Sequence, residues 1–286
     1  MHKTIHVRGK LLSLHPPLVM GILNVTPDSF HAGSRTQTEA AIHRRIETIL
    51  REGGRIIDIG GYSSRPDAAE VSPEEEMRRL APALRIAETY PEAVVSVDTF
   101  RASIARRSVE VYGASIINDI SGGELDADMF RTVADLRVPY ILMHMRGAPQ
   151  TMQQFTTYDD LIVDIRKYFA RKVYELQLLG VNDMLLDPGF GFSKTTEQNF
   201  ELMRRLDELT VFDLPLLVGV SRKSMIYKLL GTTPGDSLNG TTFLHTLALQ
   251  KGADILRVHD VKAATEVVRL MQAYSNNHTL CGCTSE

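Results

Sequence analysis

Polar and charged side chains follow the short apolar segments of this chain in a repeated pattern. Eight apolar runs occur, and the polar residues after them, in chain order, are Asn24, Ser64 and Arg65, Asp98, Asn118, His144 and Arg146, Asp187, Lys223 and Ser224, and Arg257 and His259. Loops are polar and need capping groups, which accounts for single members of this set. It does not account for all eight run ends, so we interpret the set as the lining of one site.

Three short polar side chains, those of Asp98, Asn118 and Asp187, come directly after apolar runs. A carboxylate in such a place is costly to bury unless other groups donate hydrogen bonds to it. A flat ring with an amino group beside a ring N–H would donate two parallel hydrogen bonds to one carboxylate, and an amide offers a donor and an acceptor. Each residue alone is equally consistent with a helix cap. Together they favour a site for a hydrogen-bonding heterocycle.

A second group of side chains is cationic and follows runs two, seven and eight; it comprises Arg65, Lys223, Arg257 and His259. The last two loops of a barrel commonly hold phosphate, and arginine suits phosphate oxygens. Asn24 could share a Mg²⁺ ion that bridges those oxygens. Each cation alone is also consistent with a solvated surface charge, but their common position after apolar runs favours an anion site.

The apolar runs have the near-continuous hydrophobicity of parallel strands covered on both faces. They span Leu18–Leu23, Arg55–Ile59, Val94–Val97, Ser115–Ile117, Tyr140–Met143, Met184–Leu186, Leu216–Val220 and Ile255–Val258. Their starts lie about 20 to 45 residues apart, which leaves room for a helical crossover each time.

Helix signals occupy the intervening segments. Ser72 precedes proline and glutamates in the pattern of a capping box. Apolar residues at helical spacing predict helices over Tyr158–Leu179, Thr195–Leu209, Ser237–Gln250 and Val261–Tyr274.

The alternation of eight strands and helices predicts a (β/α)₈ TIM barrel; a doubly wound open sheet is the alternative. We expect one domain over residues 1–286 with a core at about 15–275, because no linker composition interrupts the pattern. Thr4–Leu14 predicts a short hairpin that turns at Arg8-Gly9 and caps the barrel bottom.

The composition of the chain limits which partners and which cellular location are expected. The 286 residues include 43% hydrophobic and 23% charged residues, with a formal net charge of −3. This balance is typical of a globular protein and predicts neither a nucleic-acid nor a membrane partner. The first residues lack an apolar signal segment, so a cytoplasmic location is expected. Cys281 and Cys283 have no neighbouring ligands and form a poor zinc site.

Neither His-Glu-x-x-His nor Gly-x-Ser-x-Gly occurs, and no cysteine is placed as a nucleophile. Residues 219–224 also lack the second glycine of a P-loop. The residues alone therefore predict a barrel enzyme that acts on a flat, hydrogen-bonding heterocycle with an anionic group.

Eight short motifs occur in register along the chain: Met20–Phe30, Asp58–Pro66, Ser96–Thr99, Ile117–Ile120, Leu142–Met145, Asp187–Phe192, Gly219–Ser224 and Arg257–Asp260. With them the chain resembles the dihydropteroate synthase family from about Val19 to Val261. The resemblance implies a transferase of folate biosynthesis that joins 6-hydroxymethyl-7,8-dihydropterin diphosphate to p-aminobenzoate and releases diphosphate. It also implies a Mg²⁺ cofactor, a homodimer and a site of the kind that sulfonamides target.

The resemblance assigns roles by position. Asp98, Asn118, Asp187 and Lys223 would hold the pterin, Met143 would line its pocket, Asn24 would coordinate Mg²⁺, Arg257 and His259 would grip the diphosphate, Ser64 and Arg65 would lie on the second mobile loop, and Phe192 and Ser224 would face p-aminobenzoate. Lys223, Arg257, Asp98 and Arg65 are the implied catalytic residues. The implied mechanism is dissociative: diphosphate leaves first, and the arylamine attacks a pterin cation.

Two positions depart from the family pattern. Ala32 stands where the first loop usually has aspartate, and Tyr62 where the second loop usually has glutamate. Two alternatives stay open: a barrel that transfers a methyl group from methyltetrahydrofolate to a corrinoid, and a non-catalytic pterin-binding paralogue.

Overall fold

The structure, a computed structural model, describes residues 3–26, 35–62 and 71–275. The chain begins with two antiparallel strands, β1 (Thr4–Val7) and β2 (Lys10–Ser13). Arg8 and Gly9 connect them with φ values of 49° and 75°, the left-handed pair that two-residue hairpins favour. The predicted N-terminal hairpin is therefore confirmed.

Eight further strands run parallel to one another: β3 (Leu18–Asn24), β4 (Ile56–Gly60), β5 (Val94–Asp98), β6 (Ile116–Asp119), β7 (Tyr140–Met143), β8 (Met184–Asp187), β9 (Leu217–Val218) and β10 (Ile255–Val258). Their order in the sheet is β8-β7-β6-β5-β4-β3-β10-β9. A parallel bridge between Leu186 and Leu216 joins the two outer strands. The sheet thus closes into the predicted barrel, and the open-sheet alternative is wrong.

Helices follow the strands and cover the outside of the barrel: α1 (Arg35–Arg51), α2 (Pro73–Glu88), α3 (Ala102–Tyr112), α4 (Met129–Leu136), α5 (Leu161–Leu178), α6 (Thr196–Arg204), α7 (Ser224–Leu230), α8 (Leu238–Gln250) and α9 (Val261–Ser275). Short 3₁₀ segments occur at Met152–Gln154 and Leu206–Phe212. In the part of the chain that the structure describes, no helix has both the length and the apolar character needed to cross a bilayer.

The helix boundaries differ from the predicted ones where a side chain caps the backbone. Asp160 accepts hydrogen bonds from the backbone N–H groups of Ile162 and Val163, both at 3.0 Å, so α5 starts at Leu161 and not at Tyr158. The predicted helix Thr195–Leu209 divides at Arg205, whose φ of −106° lies outside the helical region. The strand predicted over Leu216–Val220 forms a ladder only at Leu217–Val218.

The capping box predicted at Ser72 is only half formed. Ser72 Oγ accepts the backbone N–H of Glu75 at 3.2 Å. The Glu75 carboxylate does not reach back to the cap, because it accepts hydrogen bonds from two arginines of the following turn. A complete box occurs at Thr195 and Gln198, where both reciprocal bonds are present.

The hairpin closes the amino-terminal end of the barrel. Its apolar side chains pack against the first inward-facing residues of the strands in one cluster that contains Ile5, Val7, Leu14, Met20, Ile56, Ile116, Ile141, Leu185, Leu217 and Ile255. Polar contacts reinforce the seal, since Lys3 Nζ donates to Leu214 O at 3.0 Å and to Asp254 at 3.1 Å. The predicted cap of the barrel bottom is confirmed. Access to the barrel is therefore confined to the carboxyl ends of the strands.

We predict that Ile5→Ala destabilises the protein by about 2–5 kcal/mol, because it removes a buried side chain from this cluster and leaves a cavity. Ile5 is 1% exposed. Leu11→Ala in the same hairpin is the matched control, since Leu11 is 72% exposed and its loss should change stability by no more than about 0.5 kcal/mol. Urea unfolding measures both. Equal effects of the two substitutions would show that the hairpin does not seal the core.

Candidate active site

The ends of four neighbouring strands bring polar residues to one level at the barrel mouth. Asn24 is the register partner of Gly60, Gly60 of Asp98, and Asp98 of Asn118. A Cβ placed on Gly60 would lie 3.4 Å from Asn24 Oδ1 and 3.6 Å from Asp98 Oδ2. The glycine therefore leaves a gap between these two side-chain oxygen atoms. Further round the barrel, Met143 is the register partner of Asp187.

A fully buried carboxylate, Asp58 on β4, lies beneath this row. It accepts hydrogen bonds from Ser96 Oγ at 2.7 Å, Asn118 Nδ2 at 3.0 Å and Arg257 Nε at 2.7 Å. These donors satisfy a charge that would otherwise be very costly to bury. Asp58 was not predicted as a site residue, although a carboxylate inside the apolar run Arg55–Ile59 was a usable signal.

Arg257 connects the carboxylates. Its Nη2 donates to Asp98 Oδ2 at 2.7 Å while its Nε donates to Asp58. Burial acts to lower the pKa of the guanidinium, but the two carboxylates outweigh it and raise that pKa. Burial also raises the pKa of Asp98 to about 7, against the opposing effect of Arg257. The acidic and cationic groups, predicted as two separate sets, therefore meet in one network.

A second acid and base pair lies next to Arg257, on and after the adjoining strands β8 and β9. Asp187 is buried, and its Oδ1 accepts the Gly189 N–H at 2.8 Å. Burial raises the pKa of Asp187, and the charge of Lys223 opposes that shift. Burial lowers the pKa of Lys223 to about 8. A Cβ on Gly219 would lie 3.9 Å from Lys223 Nζ and 3.8 Å from Arg257 Cβ, so both cations flank one glycine.

Apolar side chains form the remaining wall. Ile120, Met143, Met145 and Met152 make a buried cluster with Phe100 and Phe192 packed against it. The Lys223 ammonium lies 4.8 Å from the centre of the Phe192 ring, which is a favourable distance for a cation–π contact. Of this wall, only Met143 and Phe192 were predicted as site residues from the sequence.

His259 is held in a defined orientation after β10. Its backbone N–H donates to Ser221 Oγ at 3.2 Å, and its Nδ1 lies 3.1 Å from the same oxygen. This arrangement favours donation from the Ser221 hydroxyl to Nδ1 and leaves the ring proton on Nε2. Burial, assisted by Arg257, lowers the pKa of His259 to about 4. The imidazole is therefore neutral at physiological pH.

Ser224 begins α7 directly after Lys223.

Ser64 and Arg65, like the Ala32 departure, lie outside the described residues. Tyr62 is described and stacks edge-on against Phe100, with ring centres 5.1 Å apart. Its hydroxyl accepts a hydrogen bond from Gln150 Nε2 at 2.8 Å. Tyr62 therefore links the segment after β4 to the segment after β7.

Metal ligands are sparse at the mouth. Over residues 3–26, 35–62 and 71–275, no group of three or more His, Cys, Asp or Glu side chains is placed to hold a metal ion. Asn24 can contribute one amide oxygen. A Mg²⁺ ion bound there would take most of its ligands from water and substrate oxygens, which is its usual behaviour at phosphate sites.

A parallel barrel with these acids, amides and cations at its mouth defines a class of enzyme that binds flat heterocycles. Residues 20–259 match the family model described as pterin binding enzyme, and the chain belongs to that family. It is 42% identical over 275 residues to the dihydropteroate synthase of Escherichia coli K12, covering 94% of this chain and 95% of the relative. The Synechocystis enzyme of the same name is 43% identical over 258 residues, with 89% of each chain covered.

Solved structures agree with these sequence relatives. The structure of Xanthomonas albilineans dihydropteroate synthase with 4-aminobenzoic acid superposes with a TM-score of 0.89 at 36% identity, covering 96% of this chain and 99% of the other. That of the Yersinia pestis enzyme with a sulfonamide drug has a TM-score of 0.88 at 41% identity, with the same coverage. Within the pterin binding enzymes, the chain therefore belongs with the dihydropteroate synthases.

We predict that Asp58→Asn destabilises the protein by about 3 kcal/mol, because it breaks a buried ion pair and leaves Arg257 with one carboxylate. Glu75→Gln is the control, since Glu75 pairs with two arginines at the surface and its charge should contribute less than about 1 kcal/mol. Unfolding in urea provides the comparison. If Asp58→Asn were no more harmful than Glu75→Gln, Asp58 would not organise the mouth.

Proposed function

We propose that this chain condenses 6-hydroxymethyl-7,8-dihydropterin diphosphate with p-aminobenzoate to form 7,8-dihydropteroate and diphosphate. The observation that carries the proposal is the convergence of Asp187 with Lys223, and of Arg257 with Asp98, around one mouth with an apolar wall. Binding of this substrate requires carboxylates that accept hydrogen bonds from its ring and cations that bind its diphosphate. This transfer reaction of folate biosynthesis is the activity of the dihydropteroate synthase family.

The pterin ring is proposed to lie between Asn118, Asp187 and the methionines of the wall. Asp58 accepts from Asn118 Nδ2, which directs the amide oxygen of Asn118 as an acceptor toward ring N–H groups. The Asp187 carboxylate accepts the adjacent amino and ring N–H donors in parallel. Lys223 donates to the opposite edge of the ring, and Met143 packs on its face.

The diphosphate is proposed to lie near Arg257 and His259. The guanidinium already has two carboxylate partners, so its orientation exists before substrate arrives and costs no reorganisation during the reaction. The neutral His259 ring offers its Nε2 proton to a phosphate oxygen. Arg65 is proposed to add a further cation.

Mg²⁺ is proposed to bind through the Asn24 amide oxygen and the diphosphate. The oxygen donor set and the small number of protein ligands suit this ion. When bound, Mg²⁺ would neutralise part of the charge on the departing diphosphate.

The chemical step is proposed to be dissociative. The bond between the methylene carbon and the diphosphate oxygen breaks and leaves a pterin cation. The amine nitrogen of p-aminobenzoate then bonds to the exocyclic methylene carbon and releases one proton to the departing diphosphate. We propose that Phe192 packs on the arylamine ring and that Ser224 donates to its carboxylate. This route needs no covalent nucleophile. It does need stabilised leaving-group charge and limited access of water.

Two alternatives are less well supported. Methyl transfer to a corrinoid would use the same acids but has no use for a diphosphate grip at Arg257 and His259. A non-catalytic paralogue would bind pterin without turnover, which a direct assay distinguishes. The cytoplasmic location stays a prediction.

We predict that the purified protein releases diphosphate when given pterin diphosphate, p-aminobenzoate and Mg²⁺, and that removing Mg²⁺ slows release. Lys223→Ala and Asp187→Ala should each lower kcat/KM at least about a hundredfold, because each removes a charged partner of the ring. Lys228→Ala on the exposed side of α7 is the control and should retain the parental rate. Pterin binding without diphosphate release in the parent protein would favour the paralogue.

The pH dependence of kcat/KM should reflect the loss of the proton from the Lys223 ammonium. Its pKa is lowered to about 8 by burial, so the ammonium is lost as the pH rises through that value. We predict that kcat/KM for pterin diphosphate, measured with saturating p-aminobenzoate, falls above a pH of about 8. Lys223→Arg should lower the rate but abolish this alkaline limb, because guanidinium stays charged. An unchanged limb in that variant would assign it to another group.

We also propose a homodimer formed through the carboxyl-terminal helices. On α7, α8 and α9 large apolar side chains are exposed to solvent, namely Leu229, Leu230, Phe243, Leu270 and Tyr274. Exposed apolar surface of this kind often marks a protein interface.

Phe243→Glu is predicted to shift the protein toward monomer in sedimentation velocity experiments, because it places a charge in that surface. Leu178→Glu is the control: Leu178 is similarly exposed, at 69% against 61% for Phe243, but lies on α5. A monomeric parent protein, or equal effects of both variants, would contradict the proposed interface.

A further inference from the structure

A second lysine, Lys194, lies behind the active-site wall and has no part in the proposed reaction. It directly precedes the N-cap of α6 and is only 3% exposed. Its Nζ donates to Gly189 O at 2.9 Å and Phe192 O at 3.0 Å, and lies 3.1 Å from His144 Nδ1. All three donors of the ammonium therefore have acceptors, as burial of the charge requires.

Two of these acceptors belong to the loop after β8. The loop turns through Gly189 and Gly191, whose φ values are +70° and +81°, and Lys194 bridges the carbonyl groups of Gly189 and Phe192 within it. The Phe190 carbonyl, between them, accepts a hydrogen bond from Lys223 on the opposite side. One loop is thus held between two ammonium groups, one behind the wall and one in the site.

The third acceptor, His144, connects Lys194 to the neighbouring strand β7. His144 is buried directly after Met143 on β7. Burial, with the charges of Lys194 and Arg146, keeps the pKa of His144 well below its usual value. The ring is therefore neutral, and its Nδ1 accepts from Lys194 in the tautomer that carries the proton on Nε2. The backbones of Gly189 and His144 approach each other closely, since a Cβ on Gly189 would lie 2.0 Å from His144 O. Loss of Lys194 would therefore release the Phe192 carbonyl, whereas Met143 stays in the ladder between β7 and β8.

We propose that Lys194 is a positioning residue that sets the place of Phe192 relative to Lys223, and thereby the binding of the arylamine. The inference rests on the proposed function. The pterin acceptors Asn118 and Asp187 are fixed by contacts that do not involve Lys194, namely the hydrogen bond from Asn118 to Asp58 and the pairing of Asp187 with Met143 in the ladder between β7 and β8. The effect of Lys194 should consequently fall on p-aminobenzoate far more than on pterin diphosphate.

The test compares Lys194→Met with Lys172→Met in the full-length protein. Lys172 is a matched control: it is 7% exposed, pairs with Glu124 at 2.7 Å and contacts the Phe130 ring, outside the site. Lys194→Met should raise the KM for p-aminobenzoate roughly tenfold, because displacement of a positioning contact by a fraction of an ångström weakens binding. Its KM for pterin diphosphate should stay within about twofold.

Lys172→Met should leave both KM values within about twofold of the parent, even where its melting temperature falls. Equal changes in the two KM values of Lys194→Met, or no change in either, would overturn the proposal. If Lys194→Met does not fold, Lys194→Gln keeps two N–H donors and should show a smaller rise for p-aminobenzoate alone. If neither variant folds, Lys194 is purely structural and the proposal fails. Absence of turnover in the parent protein counts instead against the proposed function.

Discussion

The ion pair between Asp58 and Arg257 is the interaction on which the mouth of the barrel depends. It joins β4 to β10, which lie on either side of β3, and connects residues 199 positions apart in the sequence. A buried charge that loses its partner costs several kcal/mol, so the pair couples correct closure of the barrel to formation of the site. Because Asp58 also accepts from Asn118, one carboxylate orients both the proposed anion-binding group and the proposed ring-binding group.

Burial then sets the electrostatic character of the site. It raises the pKa values of Asp98 and Asp187 and lowers that of Lys223, so each group is held in a charged state less readily than in water. A ligand that donates to the carboxylates and supplies negative charge beside Arg257 would relieve this cost. Neither a neutral ring nor a simple anion would do so alone. The site therefore favours a molecule that combines a donor-rich ring with an anionic group, which is the chemistry of a pterin diphosphate.

Much of this arrangement could be predicted from the sequence, because the carboxyl ends of parallel strands converge wherever the barrel closes. Asp98, Asn118, Asp187 and Arg257 lie at or near the carboxyl ends of their strands and were found by that rule. Asp58 was missed because it lies inside an apolar run, and a rule that considers only the residues at strand ends does not reach it.

Prediction from the sequence failed where a side chain has several possible partners, either within its own helix or in the tertiary structure. Glu75 fits the capping-box pattern, yet arginines three and four residues later compete for its carboxylate. Lys194 has the sequence context of an ordinary surface lysine before a helix, and only the folding of its loop around it makes it a buried donor. Its three acceptors lie at positions 144, 189 and 192, and two are backbone carbonyls that no side-chain pattern can reveal. The position of Phe192 therefore depends on tertiary structure even though its identity is visible in the sequence.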